Sequence, residues 1–202
     1  MRRKALPLLT LALLAATLAS SASAQQSVRV RGTIDKLDGN VLSVKSRDGG
    51  DLKVTLTDNA QIVGVEKASL ADIKPGSFIG SAAMPQPDGS QKALEVHIFP
   101  EAMRGTGEGH RPYAPVANST MTNGTVDQTV VAVDGQAVTL KYRDGEKKIV
   151  VPPGVPILIY VIGDRSDLKP GAAFTIISAT KQPDGTLETA RVNVGRNGAV
   201  PQ

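Results

Sequence analysis

Apolar and polar residues alternate with a period of two along much of this chain. Leu52, Val54 and Leu56 are interleaved with Lys53, Thr55 and Thr57, and Val138, Leu140 and Tyr142 with Thr139, Lys141 and Arg143. This is the pattern of half-buried strands. Between such runs stand Asp38-Gly39, Asp48-Gly49, Asp88-Gly89, Asp134-Gly135, Asp144-Gly145 and Asp184-Gly185. Asp-Gly favours the tight hairpin turn in which both central residues take positive φ. The alternation breaks at Ala68–Ile73 and at Arg165–Leu168, where Ser69 and Ser166 are placed to cap a single helical turn before the next Pro stops it.

The pattern occurs twice. Gly32-Thr33-Ile34-Asp35 returns as Gly124-Thr125-Val126-Asp127, Arg47-Asp48-Gly49 as Arg143-Asp144-Gly145, and Lys74-Pro75-Gly76 as Lys169-Pro170-Gly171. Phe78 then matches Phe174, and Gln86-Pro87-Asp88-Gly89 matches Gln182-Pro183-Asp184-Gly185, both at an offset of 96. Two long copies indicate duplicated small domains, not a solenoid. Each copy reads as three strands, a helical turn and two strands, the order of an OB-like barrel. The expected architecture is therefore all-β: two tandem five-stranded OB-like barrels, each with one short helical turn. The expected boundaries are a signal peptide at 1–24, repeat 1 at 25–98, a Gly/Pro-rich segment at 99–118, and repeat 2 with a short tail at 119–202.

This succession of Gly, strands, Asp-Gly turns and Lys-Pro-Gly resembles a bacterial family of exported OB-like repeats known as a domain of unknown function. The resemblance covers nearly all of the chain after residue 24, twice, and its landmarks are mostly turn residues that imply a fold more than an activity. The segment from His97 to His110 is also similar to one in proteobacterial exported proteins, some of which carry an automatic label for metal transport.

Export is expected from the N-terminus itself. Arg2, Arg3 and Lys4 precede the apolar run Leu6–Leu18 and the small-residue site Ala22-Ser23-Ala24. Cleavage before Gln25 would leave 20 basic and 19 acidic residues, a net charge of +1. The basicity of the whole chain thus belongs largely to the signal, and the destination expected is the periplasm, with an extracellular fate as the alternative. The chain has no Cys, which excludes disulfides, thiolate metal sites and Cys nucleophiles. It shows no second long apolar segment, so no transmembrane segment is expected in the mature chain. Nucleic acid is not an expected partner: there are three Phe and three Tyr, and a basic groove with aromatic platforms is missing. Phe78 and Phe174 are expected in the core.

The candidate chemistry gathers around the segment between the copies. His97 and His110 are the two histidines of the chain, and Asn193 takes the place of His97 in the second copy. Leu94, Val96 and Ile98 alternate with Glu95 and His97, which should turn His97 away from the barrel core. His97, Glu101, Met103, Glu108 and His110, with Met121 nearby, offer imidazole, carboxylate and thioether donors suited to zinc or copper. Gly105-Thr106-Gly107-Glu108-Gly109 reads as a bend: no helix start follows it, and Glu108 would repel phosphate. Arg104, Arg111 and Tyr113 form a candidate ligand or partner surface. Asn118 and Asn123 begin Asn-x-Thr sequons that mark an exposed entry to the second copy. Ile157–Ile162 is apolar on both faces and reads as an interdomain or partner surface. No nucleophile elbow is present, so the expected function is a non-catalytic binding or accessory module for a small ligand or a protein. The alternatives are a periplasmic metal-binding protein using His97 and His110, and a structural envelope protein.

Overall fold

The computed structural model describes residues 27–132 and 135–201. The signal peptide expected at 1–24 and Asp134 of the Asp134-Gly135 turn lie outside them. The first half contains β1 (Ser27–Asp38), β2 (Val41–Ser46), β3 (Asp51–Lys67), β4 (Phe78–Pro85), β5 (Gln91–Phe99) and β6 (Gly109–Pro112). The second contains β7 (Thr120–Ala132), β8 (Gly135–Tyr142), β9 (Gly145–Val151), β10 (Ile157–Ile162), β11 (Ala173–Lys181) and β12 (Leu187–Gly195). Single 3-10 turns lie at Leu70–Asp72, Glu101–Met103 and Arg165–Asp167. The fold is all-β, and among the described residues no helix is long and apolar enough to cross a membrane.

Five strands close a barrel, but they do not come from one repeat. β1, β2 and β3 pair in sequence; β3 pairs in parallel with β12, β12 with β11, and β11 returns to β1. Its core combines Val30, Leu42, Val44, Val54 and Leu56 of the first repeat with Phe174, Ile176, Val192 and Val194 of the second. Five of the remaining strands make the reciprocal circuit. β7, β8 and β9 pair in sequence, β7 pairs with β4, β4 with β5, and β5 meets β9 at Gln91↔Ile149 and Lys92↔Val150. Ile79, Val96 and Ile98 there pack with Val126, Val138, Leu140 and Ile149. The arrangement expected from the sequence, each repeat closing on itself, is not the one formed.

The third strand of each repeat is the reason. β3 runs on for 17 residues, and its C-terminal half pairs with both β12 and β10. It carries the chain out of the first circuit before the turn at Lys74-Pro75-Gly76, so β4 and β5 enter the second. In the other repeat Pro152-Pro153-Gly154 divides the corresponding stretch into β9 and β10, since proline can supply no ladder N–H. β10 lies between β3, antiparallel, and β5, parallel. Aligning Lys74-Pro75-Gly76 with Lys169-Pro170-Gly171 makes Val65 the counterpart of Tyr160, and these two residues face each other across the seam. The molecule therefore has an internal approximate two-fold through that pair. Ile157 packs into the second core, while Leu158 and Tyr160 join Val63, Val65 and Ala199 in a small third cluster. The apolar run Ile157–Ile162 is thus the seam between the circuits, with Ile162 left 74% exposed at its end.

Several local expectations change. At the paired Gln-Pro-Asp-Gly turns only glycine takes positive φ, 82° at Gly89 and 85° at Gly185. The Gly89 N–H donates to the Gln86 carbonyl and the Ser90 N–H to the Asp88 carboxylate. Asp thus serves as an acceptor without leaving negative φ. Ser69 does open its helical turn, where Asp72 accepts from the Ser69 N–H and Oγ. In the second copy the capping residue is Asp164, which accepts from the Ser166 N–H. A register shift in the β4–β5 pair leaves Leu94 out of line and 38% exposed, while Val96 and Ile98 stay in the core. Asn123 is buried, not exposed, because β7 is flanked there by β4 and β6.

The repeated Gly-Thr-Ile/Val-Asp landmark has a steric cause. A Cβ at Gly32 would run into the Lys45 carbonyl oxygen, and one at Gly124 would lie 2.5 Å from that of Lys141. Both obstacles are backbone of the neighbouring strand. Gly32→Ala and Gly124→Ala should each lower stability by about 1–3 kcal/mol, the usual cost of overpacking, measured as a fall in the urea midpoint. Unchanged midpoints would contradict this account of the landmark.

Candidate functional site

The exchange of strands sets outward faces of the two circuits against one another. On β1, Val30 enters the first core and turns Arg29 and Arg31 outward; on β12, Val192 and Val194 do the same for Arg191 and Asn193. On β5, Val96 and Ile98 enter the second core, so Glu95, His97 and Phe99 lie on the opposite face. His97 does point away from the barrel core, as its alternation requires, yet it is buried. Its cover comes from elements that the other circuit and the seam bring over it.

Between these faces is a cleft of about 700 Å³. Arg29 and Arg31 of β1, Arg191 of β12 and Arg111 of β6 line it, together with His97, Phe99, Tyr160, Asn123, Tyr113 and Ile177. The bend at Thr106 and Gly107 closes one side. A shallower extension of about 380 Å³ shares Arg29, Arg31 and Tyr113 and reaches Glu95. A larger hollow, about 800 Å³, lies beside Gln86-Pro87-Asp88 and Pro152-Pro153. It gathers no comparable set of polar groups, since Asp88 is engaged by its own turn.

The cleft is electrostatically one-sided. Among the described residues none of Arg29, Arg31, Arg111 and Arg191 is ion-paired with a carboxylate. Arg111 donates to the Gly107 carbonyl at 2.6 Å and Arg191 to Asn193 Oδ1 at 3.2 Å. Arg196, by contrast, is held by Glu66 and Asp167 outside the cleft. Glu95 is a carboxylate that lines the extension beside Arg29 and Arg31. Burial raises its pKa, opposed by the Tyr113 hydroxyl, which donates to Oε1 at 3.3 Å, and by the charge of Arg29.

His97 sits at the inner end. Its ring stacks on Tyr160 with centroids 4.9 Å apart, Nδ1 is 3.2 Å from the Tyr160 hydroxyl, and Phe99 meets Tyr160 edge-on. Burial, followed by the charge of Arg29, lowers the pKa of His97 to about 4. It is therefore neutral at neutral pH, and its approach of Nε2 to Glu95 Oε1 at 3.7 Å is not an ion pair. Burial also raises the pKa of Tyr160 and of Tyr113, with Glu95 adding to both. Among the described residues, three buried polar atoms have no hydrogen-bond partner: Arg29 Nε, His97 Nε2 and Asn123 Oδ1.

The proposed metal ligands do not converge. Among the described residues no three His, Asp or Glu side chains are placed to hold an ion. His97 and His110 lie on strands separated by β4 and β7. The His110 Nδ1 pairs with the Thr122 hydroxyl at 2.8 Å, Glu101 binds Arg104, and Glu108 accepts from the Arg143 N–H. Met103 packs against the seam cluster. Of the candidate ligand surface, Arg111 and Tyr113 do line the cleft. Arg104 does not: it is bound to Glu101 at 2.6 and 2.7 Å, donates to the Gly76 carbonyl and lies over the Phe78 ring. Sequence reasoning missed Arg29, Arg31, Glu95, Asn123, Tyr160 and Arg191. A signal existed in the repeat itself, because Arg31 faces Asn123 in the alignment and Glu95 faces Arg191.

The depressed pKa of His97 has a direction that can be checked. The unfolded chain takes up this proton first, so the stability that His97 contributes is present above pH 6.5 and is lost as pH falls towards about 4. The raised pKa of Glu95 acts in the opposite sense, favouring the folded state at low pH, so the comparison must be between variants. His97→Asn, the residue its counterpart Asn193 already carries, should flatten the decline of the thermal midpoint between pH 6.5 and pH 4; parallel curves would contradict a neutral buried His97. Comparisons with family models, curated proteins and solved structures found no match to this chain.

Proposed function

We propose that this chain is an exported, non-catalytic binding module that holds a small anionic ligand in the cleft at its seam. In this reading the two strand circuits are OB-like barrels, akin to the exported OB-like repeats that the sequence resembles but with strands exchanged between the copies, and the N-terminal segment directs the mature protein to the periplasm. The observation that carries the reading is the convergence of Arg29, Arg31, Arg111 and Arg191 on one cavity without carboxylate partners. Guanidinium groups give carboxylates and phosphates short, charge-assisted and often bidentate hydrogen bonds. A bound anion would also relieve the mutual repulsion of the four cations.

Calorimetric titration of the mature protein with citrate, phosphate and D-glucuronate tests this. At least one of these anions should bind, and Arg29→Ala combined with Arg191→Ala should weaken it at least tenfold, about 1.4 kcal/mol. Lys53→Ala, an exposed control on β3, should leave the affinity unchanged, and added salt should weaken binding. No binding of any of the three, or equal affinity in the arginine variant, would refute the reading. The mass of the periplasmic protein should begin at Gln25; retention of the first 24 residues would refute export by cleavage.

A further inference from the structure

We infer that the anion taken by this cleft is hydroxylated, a sugar acid or similar hydroxy acid, because the buried end of the site lacks both an acceptor and a donor that a bare carboxylate cannot supply together. The inference rests on the anion-binding reading above and asks what the three unpartnered atoms require. Arg29 Nε–H is a donor. The amide of Asn123 is oriented by its Nδ2, which donates to the Thr106 carbonyl at 2.9 Å, so the unpartnered Oδ1 is an acceptor. The tautomer of His97 follows from its neighbours. A Tyr160 hydroxyl that donates to Nδ1 leaves the proton on Nε2, where it faces the Glu95 carboxylate and not a second lone pair. His97 Nε2–H is then a second donor.

A carboxylate satisfies Arg29 and the other arginines, but it has no proton for Asn123 Oδ1. A hydroxyl group both donates and accepts, so it can serve Asn123 and His97 in one ligand. An ammonium group could donate as well, but it would have to enter beside four arginines and is disfavoured on charge. A buried acceptor left unmet is costly, and a site built to hydrogen-bond a hydroxyl rejects the analogue that lacks it. Asn123 is 5% and His97 6% exposed, so bulk water does not readily compensate for an absent partner. The bare backbone of Gly80 makes room for the Asn123 amide itself, since a Cβ there would lie 2.6 Å from Asn123 Oδ1.

Three probes of similar ring size separate the requirements: D-glucuronate has charge and hydroxyls, cyclohexanecarboxylate has charge alone, and D-glucose has hydroxyls alone. Calorimetry on the mature protein should find glucuronate bound at least tenfold more tightly than either of the others. In Asn123→Ala the advantage over cyclohexanecarboxylate should shrink to less than threefold, with cyclohexanecarboxylate itself unaffected and a cooperative thermal transition confirming a folded variant. His97→Gln provides a second variant in which the same discrimination falls. If cyclohexanecarboxylate matches glucuronate in the wild type, the anion site stands and its hydroxyl requirement is overturned. If both variants keep the full discrimination, the assignment to these residues is overturned. If neither anion binds, the underlying anion-site reading fails for this ligand class and the inference fails with it.

Discussion

The antiparallel pairing of β3 with β10 is the contact on which the rest of the molecule depends. It joins the two copies through the facing counterparts Val65 and Tyr160, and it commits the third strand of each copy to a direction that leads away from the strands preceding it. Once that seam is formed, β11 and β12 can complete the barrel begun by β1, β2 and β3, and β4 and β5 complete the circuit begun by β7, β8 and β9. Both cores then draw on both copies, the first from the two ends of the chain and the second from its middle. Apolar burial, which without disulfides must carry most of the stability, is therefore shared between copies and not contained within either.

The same seam accounts for the site. In a barrel standing alone, the face of β5 that carries Glu95, His97 and Phe99 would meet water. Here it is roofed by the other circuit and by the segment between the copies, and its polar groups become buried without all finding partners. Burial then acts on each in the expected direction, keeping His97 neutral and raising Glu95. The two aligned halves also differ from one another at this place. One copy supplies arginines on its first strand where the other has Met121 and Asn123, so positive charge accumulates on one side of the approximate two-fold.

How far the sequence discloses this follows from the range of each interaction. Strands, turns, the repeat and the buried Phe174 are local or periodic features, and alternation together with Asp-Gly and Lys-Pro-Gly punctuation marks them. Alternation also states correctly that His97 turns from the core, but it cannot say that another layer lies above it. The exchange is not local: nothing in the spacing of β3 to β4 distinguishes a return to the same barrel from passage into the other. For that reason Arg29 and Arg191, 162 positions apart in the sequence, carried no visible relationship, whereas His97 and His110, close in sequence, suggested one that three strand spacings prevent. Arg111 and Tyr113, which line the cleft, stand out in the sequence because the segment between the copies has no counterpart in the repeated pattern.

The exchange itself is open to a direct covalent test, because the chain has no cysteine to interfere. The hydroxyl oxygens of Ser27 in β1 and Ser178 in β11 are 2.6 Å apart, a placement compatible with a disulfide once both are cysteine. If each copy instead closed on itself, β1 would lie against β4, and the residue in the place of Ser178 would be Ala82. Mild oxidation of the double variant Ser27→Cys, Ser178→Cys should give a monomer with an internal crosslink, identified by peptide mass mapping, while Ser27→Cys, Ala82→Cys should stay reduced. A crosslink in the second pair and none in the first would contradict the exchanged fold, and with it the cleft that the fold creates.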